Sequence, residues 1–319
     1  MDRFGRLARC SAIVAEVGGI DGPFIGSEAL AAGLVSRRGL RNGYDVVYRN
    51  VYVPRGYELT AARRANAAWL WARREATVAG LSAAALHGTK WIDAALPAEL
   101  NRIGDAVHGI VIHRDTLADD EVGVIDGMAV TTPARTAFDV GRRGRLENAI
   151  IRLDALANAT GLKPDDVSAL ADRHTGARGI VQLRKAVGLM DGGAESPQET
   201  RTRLLLINAG FPRPKTQIVI CNEYGEFVAR IDMGWPEWKV GVQYDGPQHW
   251  TDPGQHARDI DQQAELQALD WRIVRVSRDL LRYRSSVFVG RTCGAMRTAG
   301  WSHCDEIRLD AQLSPDRVT

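Results

Sequence analysis

Two apolar runs near the C-terminal end of the chain carry acidic and amide side chains where strands are expected to be apolar. Asp232 follows FVARI at the end of one run, and Gln243 and Asp245 lie two residues apart in WKVGVQYDG. Since side chains alternate along a strand, Gln243 and Asp245 point to one face and Tyr244 to the other. Pairing of the two runs as a hairpin about the WPEW turn would bring Asp232 close to that face. A charged group in such a place is unfavourable unless it is paired or bound to a metal.

Glu199 lies on a helix that precedes these strands and is a further candidate for the same place. The helix is predicted over SPQETRTRLLLINAG, with Ser196 at the N-cap, Pro197 at the first helical position and Gly210 at its end. Three converging carboxylates, Asp232, Asp245 and Glu199, would attract a divalent cation, and their hard oxygen ligands favour Mg²⁺ or Mn²⁺ over zinc. Such a site can polarise a phosphodiester and activate water. Glu199 also completes a Ser196-x-x-Glu199 capping box, which explains it without catalysis.

These residues resemble a known family. PD-(D/E)xK nucleases carry a Glu on a helix, an Asp on a following strand and a Glu or Gln on the next strand, and this chain has the same pattern. The string IDMGWPEWKVGVQYDGPQHW, followed by a polar helix and LDWRIVRVSRDL, resembles the branch related to the Vsr mismatch endonuclease, as found at the C-terminus of actinobacterial proteins. The resemblance covers roughly residues 195–285. It implies a restriction-endonuclease-like αβα domain that hydrolyses DNA phosphodiesters with Mg²⁺ or Mn²⁺.

The resemblance assigns a role to each of five residues. Asp232 matches the central metal-binding Asp, and Glu199 matches the acid on the helix. Gln243 stands where the family usually has Glu, and Asp245 stands where the wider superfamily has Lys. His249 matches a His that is often present in this branch, where it would act as a base or orient water. Asp232, Asp245, Glu199 and Gln243 are therefore the implied metal ligands.

Two departures from the family pattern bear on activity. Gln243 can offer a carbonyl oxygen to a metal, but it removes a full negative charge, so the affinity for a divalent cation should fall. The missing Lys leaves stabilisation of the transition state to the metal, to His249 or to an arginine such as Arg230. An active nuclease, a weak one and a decayed one all remain as alternatives.

The N-terminal segment predicts a winged helix-turn-helix. GSEALAAGL offers Ser27 as a helix N-cap, a second short helix starts at Ser36 and ends near Gly43, and YDVVYRNVYVP is a strand pair that turns near Arg49-Asn50. In such a unit the second helix enters the major groove and the ribbon lies along the backbone. The residues predicted to meet DNA are Arg37, Arg38 and Arg41 on the helix and Arg49 and Arg55 on the wing. This head resembles the winged-helix domain of AbiEi-type antitoxins; a surface for protein contacts is the alternative.

We expect a multi-domain α/β chain of the α+β class. Its predicted parts are a winged-helix head over residues 1–58, a mixed α/β connecting region over 59–190 and the nuclease-like αβα domain over 191–319. DGGAE (191–195) is predicted to be a short flexible joint at the last boundary. The connecting region shows amphipathic helices and short strands, and no motif there indicates a chemical activity.

Composition excludes several classes of protein. Hydrophobic residues make up 45% and charged residues 25% of the 319 residues, which is typical of a soluble globular protein and not of a disordered or fibrous one. No run approaches the roughly 20 apolar residues of a membrane helix. Glu16 and Asp21 break the apolar run behind the N-terminus, so we expect no signal peptide and a cytoplasmic location. The four cysteines, Cys10, Cys221, Cys293 and Cys304, form no CxxC pair and are expected to be buried free thiols.

Charge is spread unevenly along the chain. The net charge is only +2, but residues 1–75 hold twelve Arg and seven Asp or Glu, a net +5. A basic front favours a nucleic acid as partner, although 36 Arg against 5 Lys is also typical of a GC-rich genome. The predicted function is a DNA-binding endonuclease. The alternatives are a non-catalytic, antitoxin-like DNA-binding regulator and a module whose basic head meets a toxin or another acidic protein.

Overall fold

The computed structural model describes residues 20–246 and 253–311, and for residues 253–260 it describes the main chain only. Three sheets lie within these ranges. The first consists of β1 (Phe24–Ile25), β2 (Tyr44–Tyr48) and β3 (Val51–Pro54), in the order β1-β3-β2. The second consists of β4 (Thr77–Val78), β5 (Ala98–Asn101), β6 (Ile110–His113), β7 (Val122–Ile125) and β8 (Met128–Thr131), in the order β6-β5-β4-β8-β7. The third consists of β9 (Lys215–Cys221), β10 (Phe227–Trp235), β11 (Val240–Asp245) and β12 (Arg272–Ser277), in the order β12-β11-β10-β9.

Helices separate and cover these sheets. The helices of the described ranges are α1 (Gly26–Ala31), α2 (Arg37–Gly43), α3 (Ala61–Trp71), α4 (Gly80–Leu86), α5 (Pro133–Gly141), α6 (Leu146–Thr160), α7 (Pro164–Arg173), α8 (Ile180–Leu189), α9 (Pro197–Ala209), α10 (Pro253–Ala268), α11 (Arg278–Tyr283) and α12 (Ser285–Thr298). The chain is therefore mixed α/β with several separate sheets, which confirms the α+β class. None of these helices combines the length and the apolar character that a membrane crossing requires.

The head consists of α1, α2 and the small first sheet. The Ser36 hydroxyl accepts a 2.9 Å hydrogen bond from the Gly39 amide, so the predicted start of α2 is confirmed. The prediction of Ser27 as an N-cap is wrong, because α1 begins at Gly26 directly after β1. Gly26 suits this abrupt start, since a Cβ there would lie 2.4 Å from the Tyr52 ring. The Ser27 hydroxyl instead accepts from the side-chain amide of Asn50, in the turn of the ribbon.

The head and the connecting region share one hydrophobic core. Ile25, Tyr48 and Val51 from the head lie in the same buried cluster as residues of α3, β4, β5 and β8. The Tyr48 hydroxyl also donates a 3.2 Å hydrogen bond to the Gly109 carbonyl. Packing therefore crosses the predicted boundary at residue 58.

The connecting region buries charged side chains beside its apolar core. Arg135 is 2% exposed and donates to Asp139 at 2.9 Å and to Glu121. His174 is bonded to Glu121 at 2.8 Å, and His113 is bonded to Glu99 at 2.7 Å. Each buried charge is thus paired, as burial of an ion requires. These histidines lie in pairs with carboxylates.

The C-terminal region is a three-layer α/β/α arrangement. β9, β10 and β11 form an antiparallel meander, and β12 returns parallel to β11. On one face, Leu205 of α9 and Phe288 of α12 lie in a core with Met233 and Val242. On the other face, Leu266 of α10 packs with a second cluster that includes Ile231. Both faces of the sheet are therefore covered by helices.

A buried ion pair joins the connecting region to the C-terminal region. Asp154 of α6 is 1% exposed and accepts hydrogen bonds from Arg203 at 2.7 Å and from Thr200 at 2.9 Å, both on α9. Its other oxygen accepts from the Asp191 amide at 2.7 Å. Arg203 is 0% exposed and also donates to the Leu189 carbonyl. Asp191 is the first residue of the segment 191–195 that was predicted to be a flexible joint, and its amide is part of this hydrogen-bond network.

The cysteines differ in part from the prediction. Cys293 and Cys304 are buried free thiols, as expected, and the Cys304 thiol lies 3.1 Å from the Cys293 carbonyl oxygen. Cys221 is free but exposed, so the prediction of a buried thiol is wrong there. It lies at the end of β9, the edge strand of the third sheet within the described part of the chain. Cys10 lies outside the described residues.

Candidate metal centre

Asp232 lies on β10 and binds the neighbouring strand through both carboxylate oxygens. Oδ2 accepts a 2.6 Å hydrogen bond from the Tyr244 amide, and Oδ1 accepts from Nε2 of Gln243 at 3.2 Å. Burial raises the pKa of Asp232 to about 7, against the opposing effect of the Tyr244 amide. The nearby Glu199 carboxylate raises this pKa further, and Arg230 lowers it. The site therefore holds a desolvated acid whose ionised form is poorly compensated.

Glu199 lies in the first turn of α9 and is buried. Oε2 accepts hydrogen bonds from the Glu195 amide at 2.9 Å and from Nε2 of Gln217 at 3.3 Å. Burial raises the pKa of Glu199, although the Glu195 amide opposes this effect. Two carboxyls with raised pKa values, Glu199 and Asp232, thus lie near each other between α9 and the third sheet.

The predicted capping box is only half correct. The Ser196 hydroxyl accepts from the Glu199 amide at 3.2 Å, so Ser196 is the N-cap. In a capping box the carboxylate would accept from the Ser196 amide in return. The carboxylate of Glu199 binds the Glu195 amide instead, because Gln217 of β9 binds the same oxygen and holds it toward the sheet. Capping alone therefore does not explain the position of Glu199.

Gln217 is a site residue that the sequence analysis missed. It lies on β9 opposite Asp232, between the ladder pairs Ile218–Ile231 and Thr216–Met233. Its backbone φ is +51°, a left-handed conformation that is uncommon for glutamine. The oxygen Oε1 is buried and has no hydrogen-bond partner within the described part of the chain. A glutamine directly before the apolar run IVIC was the available signal in the sequence.

The sheet is irregular where Gln217 and Asp232 face each other. Ile231 packs in the cluster beneath α10, whereas Met233 packs in the cluster beneath α9. Residues two apart on a regular strand share a face, so the alternation is interrupted at Asp232. The left-handed Gln217 lies at the same level of the neighbouring strand. Two polar residues of the site, Gln217 and Asp232, therefore lie at the irregular level of the sheet.

Gln243 and Asp245 line an open groove beside β11. This β11 groove has a volume of about 660 Å³, and its lining also includes Arg230, Arg275 and Arg291. Asp245 pairs with Arg275 of β12 at 3.4 Å. Arg275 is the parallel-ladder partner of Gln243. The groove is therefore polar, with three arginines near its acidic and amide groups.

Arg230 is held by a residue that the sequence analysis did not single out. It makes two 2.9 Å hydrogen bonds to the carboxylate of Glu195. Its positive charge lowers the pKa values of both Asp232 and Glu199, while the Glu195 carboxylate raises them. The two members of the Arg230–Glu195 pair therefore act in opposite directions on the two buried acids.

The predicted site residues are brought together only in part. Asp232 contacts Gln243, and the Glu199 carboxylate is near enough to affect the pKa of Asp232, but Asp245 is bound to Arg275. His249 lies outside the described residues. Within residues 20–246 and 253–311, no group of three or more His, Cys, Asp or Glu side chains is arranged to hold a metal. The oxygen donors near Asp232 are instead two carboxylates and two amides.

The five arginines predicted to meet DNA are exposed on the head. Those of α2 and the turn are Arg37, Arg38, Arg41 and Arg49, and the fifth, Arg55, follows β3. Arg55 lies 3.7 Å from Asp45 and donates to the Arg41 carbonyl. In the described ranges, the first four side chains have no carboxylate partner.

Comparison with known proteins identifies relatives of the chain. No protein-family profile and no solved structure matches it. Two Mycobacterium tuberculosis proteins do match: "Uncharacterized protein MT2308" of strain CDC 1551 / Oshkosh and "Uncharacterized protein Rv2248" of strain H37Rv. Each is 31% identical over 195 residues, which are 60% of this chain and 71% of the relative. The chain belongs to their family. The names of these relatives state no activity.

Proposed function

We propose that the chain binds DNA and hydrolyses its phosphodiester bonds at a divalent-metal centre based on Asp232 and Glu199. The observation that carries this proposal is that two carboxyls, Asp232 on β10 and the buried Glu199 on α9, lie near each other, and burial raises the pKa of both. Two desolvated carboxylates repel each other and are unfavourable without a counter-charge. A bound cation would remove that repulsion and favour both ionised forms.

The available ligands fit a hard cation. Asp232 and Glu199 offer carboxylate oxygens. A bound ion would take the place of the hydrogen bond from Nε2 of Gln243 to Asp232, so that the Gln243 amide could rotate and offer its oxygen to the ion. Oxygen ligands of this kind suit Mg²⁺ or Mn²⁺. When bound, such an ion polarises a phosphodiester and lowers the pKa of water. Asp232 and Glu199 would hold it between α9 and the third sheet.

The β11 groove supports a substrate with phosphate groups. Arg230, Arg275 and Arg291 lie along it, and guanidinium groups match the geometry of phosphate oxygens. Asp245 stands at the position of the superfamily Lys and holds Arg275 from the neighbouring strand. Arg275 would thus supply the cation that β11 lacks. Arg230, already bound to Glu195, is less free to do so.

The α/β/α layers support a restriction-endonuclease-like domain of the Vsr-related branch. The helix acid Glu199 lies on α9, Asp232 on β10 and Gln243 on β11, in the order that the resemblance implies. The head supports a winged helix-turn-helix of the AbiEi type, because α2 is followed directly by the β2–β3 ribbon. Its exposed arginines would contact phosphates and the major groove.

The test combines metal binding with cleavage. Calorimetry with Mn²⁺ and nicking of supercoiled plasmid are measured on the wild type, on Asp232→Ala and on Asp305→Ala, a control that removes an exposed carboxylate paired with Arg297. We expect both Mn²⁺ binding and plasmid nicking to be lost in Asp232→Ala and kept in Asp305→Ala. Equal cleavage by wild type and Asp232→Ala would show that the site assignment is wrong.

A non-catalytic, antitoxin-like DNA-binding regulator is the second candidate. The observation that favours it is that the Gln243 amide and the Tyr244 amide already bind Asp232, and Arg275 already binds Asp245. Such contacts would stabilise a nuclease fold that has lost its metal. Salt-dependent DNA binding is expected from either function, since phosphate contacts release counterions. DNA binding without any Mn²⁺ binding or nicking would favour the regulator.

A further inference from the structure

We propose that Gln217 is a further ligand of the metal centre, through its amide oxygen Oε1. This inference depends on the proposed centre at Asp232 and Glu199. It adds a donor from a third strand, β9, to donors from α9, β10 and β11. Three features of Gln217 support this role: the direction in which its amide faces, its unpartnered oxygen and its backbone conformation.

The hydrogen bond to Glu199 fixes the direction of the Gln217 amide. An ionised carboxylate has no proton to donate, so it accepts only from the NH₂ end of an amide. Nε2 of Gln217 therefore faces Oε2 of Glu199, at 3.3 Å. The oxygen Oε1 faces away from that carboxylate atom and is free to accept. The amide thus bridges Glu199 and whatever occupies the space beside Oε1.

The buried Oε1 atom calls for a positively charged or hydrogen-bonding partner. Oε1 has no hydrogen-bond partner within residues 20–246 and 253–311, and it is shielded from solvent. Buried polar atoms are satisfied in the great majority of folded proteins. Gln217 lies opposite Asp232 in the sheet and is bonded to Glu199, so two carboxyls adjoin it. A cation held by those carboxyls would supply the missing partner.

The backbone at Gln217 is consistent with a functional role. A φ of +51° places a non-glycine residue in the left-handed region, which is unfavourable for a residue inside a strand. Glycine would adopt this conformation without strain. Gln217 therefore occupies a backbone position that favours glycine, which is consistent with a function for its side chain. Its only side-chain hydrogen bond in the described ranges is the one to Glu199.

Three variants separate a ligand from a structural residue, with Mn²⁺ affinity measured by calorimetry and thermal stability measured in EDTA. Gln217→Gly removes the side chain and relieves the backbone, so we expect an unchanged or higher melting temperature and an affinity for Mn²⁺ at least about tenfold weaker. Gln217→Glu adds a carboxylate, so we expect tighter Mn²⁺ binding and a lower melting temperature in EDTA. Gln263→Glu adds the same charge on the exposed surface of α10 beside the β11 groove, and we expect little change in either quantity.

The outcomes distinguish this inference from the proposed function. If Asp232→Ala abolishes Mn²⁺ binding but Gln217→Gly binds as tightly as the wild type, Gln217 is not a ligand and the metal centre stands. If Gln263→Glu tightens Mn²⁺ binding as much as Gln217→Glu does, the tighter binding results from added negative charge in general and the inference fails. If the wild type binds no Mn²⁺ even in the presence of duplex DNA, the proposed function and this inference fail together.

Discussion

The main-chain amide of Tyr244 donates a 2.6 Å hydrogen bond to Oδ2 of Asp232, so a side chain of β10 holds the end of β11. The bond favours the ionised form of the carboxyl, yet burial still raises the pKa of Asp232 to about 7. One strong hydrogen bond is thus outweighed by desolvation and by the nearby Glu199. The carboxyl is therefore held in place, while the surrounding protein groups do not supply enough positive charge to stabilise its ionised form.

Stability without metal should fall as pH rises through the range set by Asp232. The pKa in the folded chain, about 7, lies above the value of about 3.9 for an unfolded Asp, so the folded state binds the proton more tightly between these values. The free energy of unfolding therefore decreases from about pH 4 to about pH 7. Asp232→Asn should remove this decrease and add roughly 1–3 kcal/mol at pH 7.5 in EDTA. Thermal denaturation at pH 5 and pH 8 tests this; parallel curves for both proteins would contradict it.

Mn²⁺ should reverse that effect in the wild type only. A ligand that binds only the folded state raises the melting temperature, and the gain grows with the logarithm of the ligand concentration once that exceeds Kd. We expect millimolar Mn²⁺ to stabilise the wild type at pH 7.5 and to leave Asp232→Asn unchanged, because the neutral amide removes a charged ligand. Differential scanning fluorimetry measures both shifts. An equal shift in the two proteins would mean that the cation binds elsewhere.

Arg275 should contribute to DNA binding from the β11 groove. Arg275→Gln removes the guanidinium that Asp245 holds at 3.4 Å. We expect weaker binding of duplex DNA and a salt dependence reduced by about one unit of slope, as for one lost phosphate contact. Arg272→Gln is the control, since Arg272 lies three positions earlier on β12 and points to the other face. Fluorescence anisotropy at several salt concentrations distinguishes the two; similar losses in both would argue against a specific role.

The arginines of the head should together contribute more than Arg275 to the electrostatic part of DNA binding. Replacing Arg37, Arg38 and Arg41 together by Ala removes three exposed charges from α2. If each contacts a phosphate, the salt slope should fall by about three. The matched control replaces Arg178, Arg184 and Lys185 by Ala, with the same change in net charge at exposed positions around α8. Equal effects of the two triple variants would show that only net charge matters.

The pair formed by Asp154 and Arg203 should be important for stability. Asp154→Ala leaves the guanidinium of Arg203 buried at 0% exposure, and we expect a loss of about 3–5 kcal/mol in the free energy of unfolding. Asp172→Ala is the control, because its 3.1 Å pair with Arg184 is solvent-exposed and should contribute less than about 1 kcal/mol. Urea denaturation compares them. Substituting Leu for Asp154 and Met for Arg203 together should recover much of the loss.

Local sequence signals predicted much of the fold. Ser36 marks the start of α2, Ser196 with Pro197 marks the start of α9, and Arg49-Asn50 marks the turn between β2 and β3, because caps and turns depend on few residues. The two-residue strands β1 and β4 could not be predicted this way, since pairing with distant strands creates them. α11 was also missed; its six residues follow β12 without a loop.

The site was predicted less completely than the fold. Asp232 and Gln243 were recognisable because polar side chains are conspicuous at the end of apolar runs. Gln217 was not, because its role depends on a left-handed backbone and on contacts across two elements. Arg275 was hidden in WRIVRVS, a strand with two arginines, where sequence alone does not show which one faces Asp245.

The packing of Ile25, Tyr48 and Val51 into the core of the connecting region fixes the head in place, which would limit how a DNA-binding head could search for its site. A head on a flexible tether samples a range of distances, and its local concentration near a site depends on linker length. This head has no such freedom, because its own hydrophobic side chains anchor it. DNA bound by α2 would therefore lie in one orientation relative to the rest of the chain. A second contact with the same duplex would then fall at a fixed distance from the first.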